Sequence, residues 1–119
     1  MQNKQIVEWF ESLKQIWLDK DIEAVKELLA VSFDYYEDPF LPPLTSWEEV
    51  KDAWQEIKNQ NIVSLSITPV ATEGKIGVGE YCLQLKNVDG NLRESRGVYV
   101  VKLNDDGKAT SFRQWWVVK

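Results

Sequence analysis

The residues best suited to chemistry lie in the stretch FDYYEDPFLPP, residues 33–43. Asp38 stands there among two tyrosines and two phenylalanines, directly before Pro39. A carboxylate in an apolar pocket has a raised pKa, and it can take and return a proton. An aspartate before proline is also a common turn residue, whose oxygen accepts nearby backbone N–H groups. The sequence leaves both interpretations of Asp38 open.

Histidine is absent from the chain. Its absence excludes Ser-His-Asp and Cys-His nucleophile arrangements, and it removes the commonest ligand of transition metals. Any proton transfer must therefore use Asp, Glu, Tyr, Lys or Arg. Cys82 is the single cysteine, and we interpret it as structural or as an exposed bystander because no histidine base can activate it. We expect no metal and no cofactor.

Composition narrows the class of protein further. The chain has 119 residues, six tryptophans and a formal net charge of -5, with acidic and basic residues well mixed. The lack of a basic stripe argues against nucleic-acid binding and against a polybasic membrane-surface helix. The charged start of the chain does not resemble a signal peptide, and no run is long enough to span a membrane. We expect a single domain, residues 1–119, in the cytoplasm.

The periodicity of apolar residues changes from helical to alternating near residue 60. Two helical stripes precede the opening stretch, and Ser46 with Glu49 forms a capping box that begins a third helix. After residue 61 the pattern alternates, and Asp-Gly pairs at 89–90 and 106–107 indicate hairpins. The sequence thus predicts an α+β fold, in which helices cover the concave face of a curved, mostly antiparallel sheet.

Strand parity predicts which side chains face inward. Tyr99 and Gln114 fall on the cavity side of their strands, and the neighbours Trp115 and Trp116 must point to opposite faces. An outer face bearing large apolar groups is a candidate partner surface. We expect a homodimer through this face; the alternative is a scatter of exposed apolar groups, which monomers also show. The residues of this outer face are Val98, Val100 and Trp115.

Two stretches resemble a known family. WLDKDIEAVKELL and GVYVVKLNDDGKATSFRQWW are similar to segments of SnoaL-like proteins in the NTF2-like superfamily, which implies a cone-shaped α+β half-barrel. A more distant resemblance to ketosteroid isomerases implies that Asp38, in YEDP, takes the place of their general base. The two oxyanion-hole positions of those enzymes fall at Leu13 and Tyr99. One donor is therefore lost and the other is replaced by a phenol.

The resemblance implies a protein that binds a small, mostly apolar organic molecule in the cone. Cofactor-free proton transfer of the isomerase or cyclase type would use Asp38 as base and Tyr99 as hydrogen-bond donor. The alternative is a non-catalytic ligand-binding or dimeric association module. The expected pocket residues are Trp9, Leu13, Trp17, Phe33, Tyr36, Trp54, Tyr81, Phe112, Gln114 and Trp116.

Several of these assignments have alternatives. Bulky rings at such spacings also form ordinary cores, and they could fill the cone completely. Which of Tyr35 and Tyr36 faces the cavity stays open. We interpret Glu37 and Glu80 as solvated, and no second acid is expected inside the cavity.

Overall fold

The first helix begins where the sequence supplies a cap. In the computed structural model, which describes residues 3–119, α1 spans Lys4–Asp19. Met1 and Gln2, which the expected domain includes, lie outside the described residues. Asn3 Oδ1 accepts hydrogen bonds from the backbone N–H groups of Gln5 and Ile6, which satisfies donors that have no partner within the helix. Apolar positions at helical spacing bury one face of α1: Ile6, Trp9, Phe10 and Leu13.

The helical region continues in short segments. A 3-10 helix at Ile22–Leu28 leads directly into strand β1, Leu29–Tyr35. Helix α2, Trp47–Trp54, begins at the expected capping box, where Ser46 Oγ accepts the Glu49 N–H and Glu49 Oε1 accepts the Ser46 hydroxyl. A second 3-10 helix, Gln55–Asn59, follows α2 without a break.

Four long strands complete the sheet: β2 Ile62–Glu73, β3 Ile76–Lys86, β4 Leu92–Leu103 and β5 Ala109–Val118. The strand order is β1-β5-β4-β3-β2; β1 and β5 pair in parallel, and the other three neighbouring pairs are antiparallel. Gly90 and Gly107 adopt φ of 87° and 75° at the two predicted hairpins, a region that glycine enters without steric cost. The predicted α+β architecture is confirmed.

The core lies between α1, α2 and the concave face of the sheet. Strand β4 turns the expected side chains inward, since Tyr99, Val101 and Leu103 are all buried. Val63 differs from the alternation, because the β2–β3 register shifts between Ile62 and Ser64 and leaves Val63 exposed. Within residues 3–119, no helix combines the length and apolarity needed to cross a bilayer.

Candidate functional site

A cavity penetrates the cone between the helices and the sheet. Its inner chamber has a volume of about 80 Å³ and is lined by Leu13, Trp17, Tyr35, Glu37, Ala53, Trp54, Glu56, Ile57, Tyr99, Phe112 and Gln114. A wider outer cleft of about 440 Å³ shares Trp17, Glu37, Glu56, Tyr99 and Gln114 with the chamber. The cleft also includes Asp38, Leu41, Gln60, Tyr81, Leu83, Leu85, Arg93, Ser95, Trp116 and Val118. The tryptophans of the chain therefore do not fill the cone.

Aromatic rings form a large part of the chamber wall, and each ring contacts another ring. Tyr81 stacks on Tyr99 with ring centroids 4.7 Å apart and planes 7° from parallel. Phe112 lies 5.0 Å from Tyr99 and 5.1 Å from Tyr35. Trp17 meets Trp54 edge to face at 5.7 Å. Contacts of this kind fix the ring orientations, so the chamber is largely preformed.

Tyr99 supplies a polar group with spare hydrogen-bonding capacity. The residue is only 3% exposed and lines the cavity, and its hydroxyl makes no hydrogen bond among residues 3–119. Burial, followed by the neighbouring Tyr81 and Tyr35 phenols, raises the pKa of Tyr99 well above its usual value. The group stays a neutral phenol that can donate a hydrogen bond to a ligand.

Tyr35, not Tyr36, lines the chamber. Trp54 Nε1 donates to Tyr35 Oη at 3.0 Å, and burial raises the pKa of Tyr35. Tyr36 points to the outer face, where the Arg113 guanidinium lies 4.4 Å from the centre of its ring. The expectation that Tyr36 belongs to the pocket is corrected here. Alternate residues of a strand face opposite sides, and the bonds that Tyr35 makes to the Leu44 backbone fix which tyrosine faces inward.

Asp38 lies on the outer cleft rather than in the inner chamber. Its Oδ1 accepts the backbone N–H of Phe40 at 2.8 Å, which is the local turn contact expected of an aspartate before proline. The residue is half-buried and borders the same cleft as Tyr99 and Trp116. The contact with Phe40 fits the interpretation of Asp38 as a turn residue, and its position at the cleft fits the interpretation as a carboxylate beside a pocket.

Two carboxylates that the sequence analysis did not place in the cavity lie where the chamber meets the cleft. Glu37 and Glu56 line both spaces. Partial burial, and secondly the negative charge of Glu56, raise the pKa of Glu37. Glu37 is exposed, in agreement with its interpretation as a solvated residue, and Glu56 is exposed as well; both residues nevertheless border the cavity. Glu56 belongs to the 3-10 helix that follows α2.

Two further expected pocket residues lie outside the cavity. Trp9 is buried in the core, where its Nε1 donates to the Leu28 carbonyl at 2.9 Å and its ring lies 5.4 Å from Phe112. Phe33 is also buried, and it borders a separate surface groove beside Trp47. Apolar periodicity alone does not separate such core positions from cavity walls.

The described part of the chain offers no group of three or more acidic or cysteine side chains that could hold a metal ion. The arrangement can instead enclose an apolar body against rings and bind polar groups at the lip. Tyr99, Gln114, Glu37 and Glu56 are the side chains available for such polar contacts.

No known family profile matches the chain, and no curated protein matches its sequence. Solved structures do match its fold. A computationally designed 17-OHP binder has a TM-score of 0.80 at 16% identity, with 98% of each chain covered. The Δ5-3-ketosteroid isomerase of a Mycobacterium species has a TM-score of 0.76 at 13% identity, covering 97% of this chain and 98% of the isomerase. An NTF2-like protein of unknown function from Burkholderia pseudomallei has a TM-score of 0.74 at 15% identity, covering 97% of this chain and 92% of that protein.

The chain therefore has the NTF2-like fold, as its sequence resemblance indicates. At these identities the similarity establishes the architecture, and function has to be argued from the cavity.

Proposed function

We propose that this protein binds a small, mostly apolar organic molecule in the cone cavity. The observation that carries the proposal is the preformed ring-lined chamber with the unpaired hydroxyl of Tyr99 at its wall. Small-molecule sites combine a concave apolar wall with a few fixed polar groups in this way. The designed protein of similar fold is a 17-OHP binder, which supports a ligand-binding use of the fold here.

Tryptophan fluorescence tests this binding, because Trp17 and Trp54 line the chamber. The probes are naphthalenemethanol and larger polycyclic ketones. We expect saturable quenching or enhancement, and Tyr99→Phe should weaken binding by about 2- to 10-fold through loss of one hydrogen bond. Tyr36→Phe is the matched control, since Tyr36 faces away from the cavity, and it should leave the affinity unchanged. Absence of saturable binding by every probe would refute the proposal.

Cofactor-independent proton transfer is a second candidate function, favoured by the carboxyl groups at the cavity lip. Asp38, the base that the sequence indicates, borders the cleft, and its Oδ1 accepts the Phe40 N–H while Oδ2 has no hydrogen-bond partner among residues 3–119. In such a reaction a carboxylate removes a proton from a carbon next to a carbonyl and returns it to another carbon of the same molecule. Tyr99 donates a hydrogen bond to the enolate oxygen formed in between.

Exchange of ligand C–H protons in deuterated water, followed by NMR, tests this chemistry. Asp38→Asn should abolish enzyme-dependent exchange if Asp38 is the base, and Glu37→Gln should abolish it if the neighbouring carboxyl acts instead. A ligand that binds without any exchange would leave the protein as a binding module.

We also propose that two copies associate through the outer sheet face. Val98 and Trp115 are cross-strand partners on this face, and Trp115 is 41% exposed. Burying such rings against a second copy removes apolar surface from water.

A further inference from the structure

The charges around the cavity are unevenly distributed. Glu37 and Glu56 both line the chamber and the cleft, and within residues 3–119 neither carboxylate has an ion-pair or hydrogen-bond partner. No lysine or arginine borders the inner chamber, and Arg93 borders only the outer cleft. An anionic ligand group would therefore meet negative charge at the entrance to the chamber.

The hydrogen-bond donors of the wall are largely used within the protein. Trp54 Nε1 donates to the Tyr35 hydroxyl, and Trp17 Nε1 donates to Gln60 Oε1 at 2.9 Å. The carboxylates of Glu37 and Glu56 add accepting capacity that no donor among residues 3–119 uses. Tyr99 is an independent sign of a ligand contact, because the residue is more than nine-tenths buried, lines both spaces, and its hydroxyl makes no hydrogen bond among residues 3–119.

Ring faces add to the same preference. Trp17, Trp54, Tyr35 and Tyr99 all line the chamber, and Tyr81 continues this aromatic wall into the cleft. The face of an aromatic ring carries partial negative charge and attracts cations, while the same ring packs well against an apolar body. Carboxylates beside aromatic faces thus favour a group that is both positively charged and rich in donors.

We propose that the ligand is an organic cation, a protonated amine on a small apolar body. Its ammonium group lies at the lip and donates to Glu37 and Glu56, and its body packs against the rings of the chamber. This inference rests on the proposed function, because it names the chemical class of the molecule that the cavity binds.

The test compares probes that share one ring system and differ only in the charge of the head group. These are naphthylmethylamine, naphthalenemethanol and naphthoate, measured by titration calorimetry at neutral pH and low salt. We expect the amine to bind about 10-fold or more tightly than the alcohol, since a hydrogen bond to a charged group is worth more than a neutral one. The naphthoate should bind most weakly.

Variants then locate the charge recognition. The double variant Glu37→Gln with Glu56→Gln should remove the preference for the amine, so that the amine binds no more tightly than the alcohol does to the same variant. Glu11→Gln removes one negative charge from an exposed position on α1 that borders neither cavity space, and it should preserve the preference for the amine. Circular dichroism verifies that each variant is folded.

Each outcome decides between the proposals. Equal affinity for amine and alcohol would overturn the charge preference while cavity binding stands. Preference for the amine that survives the double variant would overturn the role of the two glutamates. Absence of saturable binding by all three probes would overturn this inference together with the proposed function.

Discussion

At the scale of single residues, Glu37 and Asp38 are adjacent in sequence but differ in their surroundings. One oxygen of Asp38 is held by the turn that it helps to form. The Glu37 carboxyl instead lies at the chamber lip, where its pKa is raised by partial burial and by the charge of Glu56. A carboxyl with a raised pKa holds its proton more strongly in the folded state, so its ionisation opposes folding.

This difference predicts a pH dependence of stability. In the folded state the pKa of Glu37 lies above its usual value of 4.5. The folded protein therefore binds more protons, and the contribution of Glu37 to stability is present below that value and is lost as pH rises through the folded pKa. Glu37→Gln should gain stability relative to the wild type as pH increases through this window, and urea unfolding at a series of pH values measures the gain.

An NMR titration of the Glu37 carboxyl checks the cause. Glu56→Gln should lower the pKa of Glu37 but leave it raised, because burial is the larger of the two causes. A folded-state pKa at or below 4.5 in the wild type would contradict the assignment.

At the scale of secondary-structure elements, the sequence predicts which helices and strands exist, and in what order, better than it predicts where they end and which way their side chains point. The capping box at Ser46 and the Asp-Gly hairpins are local signals, and the structure contains both features. The change from α2 to a 3-10 helix has no such local signal, and Glu56, which borders the cavity, lies in this 3-10 helix. Likewise, Tyr35 faces inward because of its bonds to the Leu44 backbone, a contact across a loop that strand parity does not determine.

The β4 strand gives a test of how an element positions the cavity wall. Gly97 is paired with Tyr81, and a Cβ added there would lie 2.6 Å from Tyr81 Cε1 and would also clash with the Trp115 carbonyl. Gly97→Ala should therefore destabilise the protein by about 1–3 kcal/mol through overpacking. It should also weaken ligand binding, because the Tyr81 ring must leave its stack on Tyr99.

Chemical denaturation and fluorescence titration measure the two effects of Gly97→Ala. Lys102→Ala is a control on the exposed side of the same strand, and its effect on stability should stay within about 0.5 kcal/mol. A Gly97→Ala variant as stable as the wild type would show that β4 shifts to accommodate the methyl group.

At the scale of the whole molecule, the curved sheet has two different faces. Its concave face forms the cavity wall and core, whereas its outer face carries valines, a tryptophan and the Arg113–Tyr36 contact. The alternation of β5 separates Trp115 from Trp116 onto these two faces. The sequence alone predicts this separation, but it cannot show how much of each ring stays exposed, since that depends on what packs above the sheet.

Trp115 and Trp116 form a matched pair for testing the proposed dimer. Trp116 is 51% exposed, borders the cavity mouth, and its Nε1 donates to the Glu37 carbonyl at 3.3 Å. Both residues expose a large part of the side chain, but only Trp115 lies on the outer face.

We expect the wild type to sediment as a dimer and Trp115→Lys to sediment as a monomer. A lysine in the interface would remove apolar contact area and would leave an unpaired charge buried there. Trp116→Lys should remain a dimer while its ligand affinity falls. Sedimentation equilibrium over a range of concentrations distinguishes these states, and a wild type that stays monomeric, or a Trp115→Lys variant that stays dimeric, would show that two copies do not associate through this face.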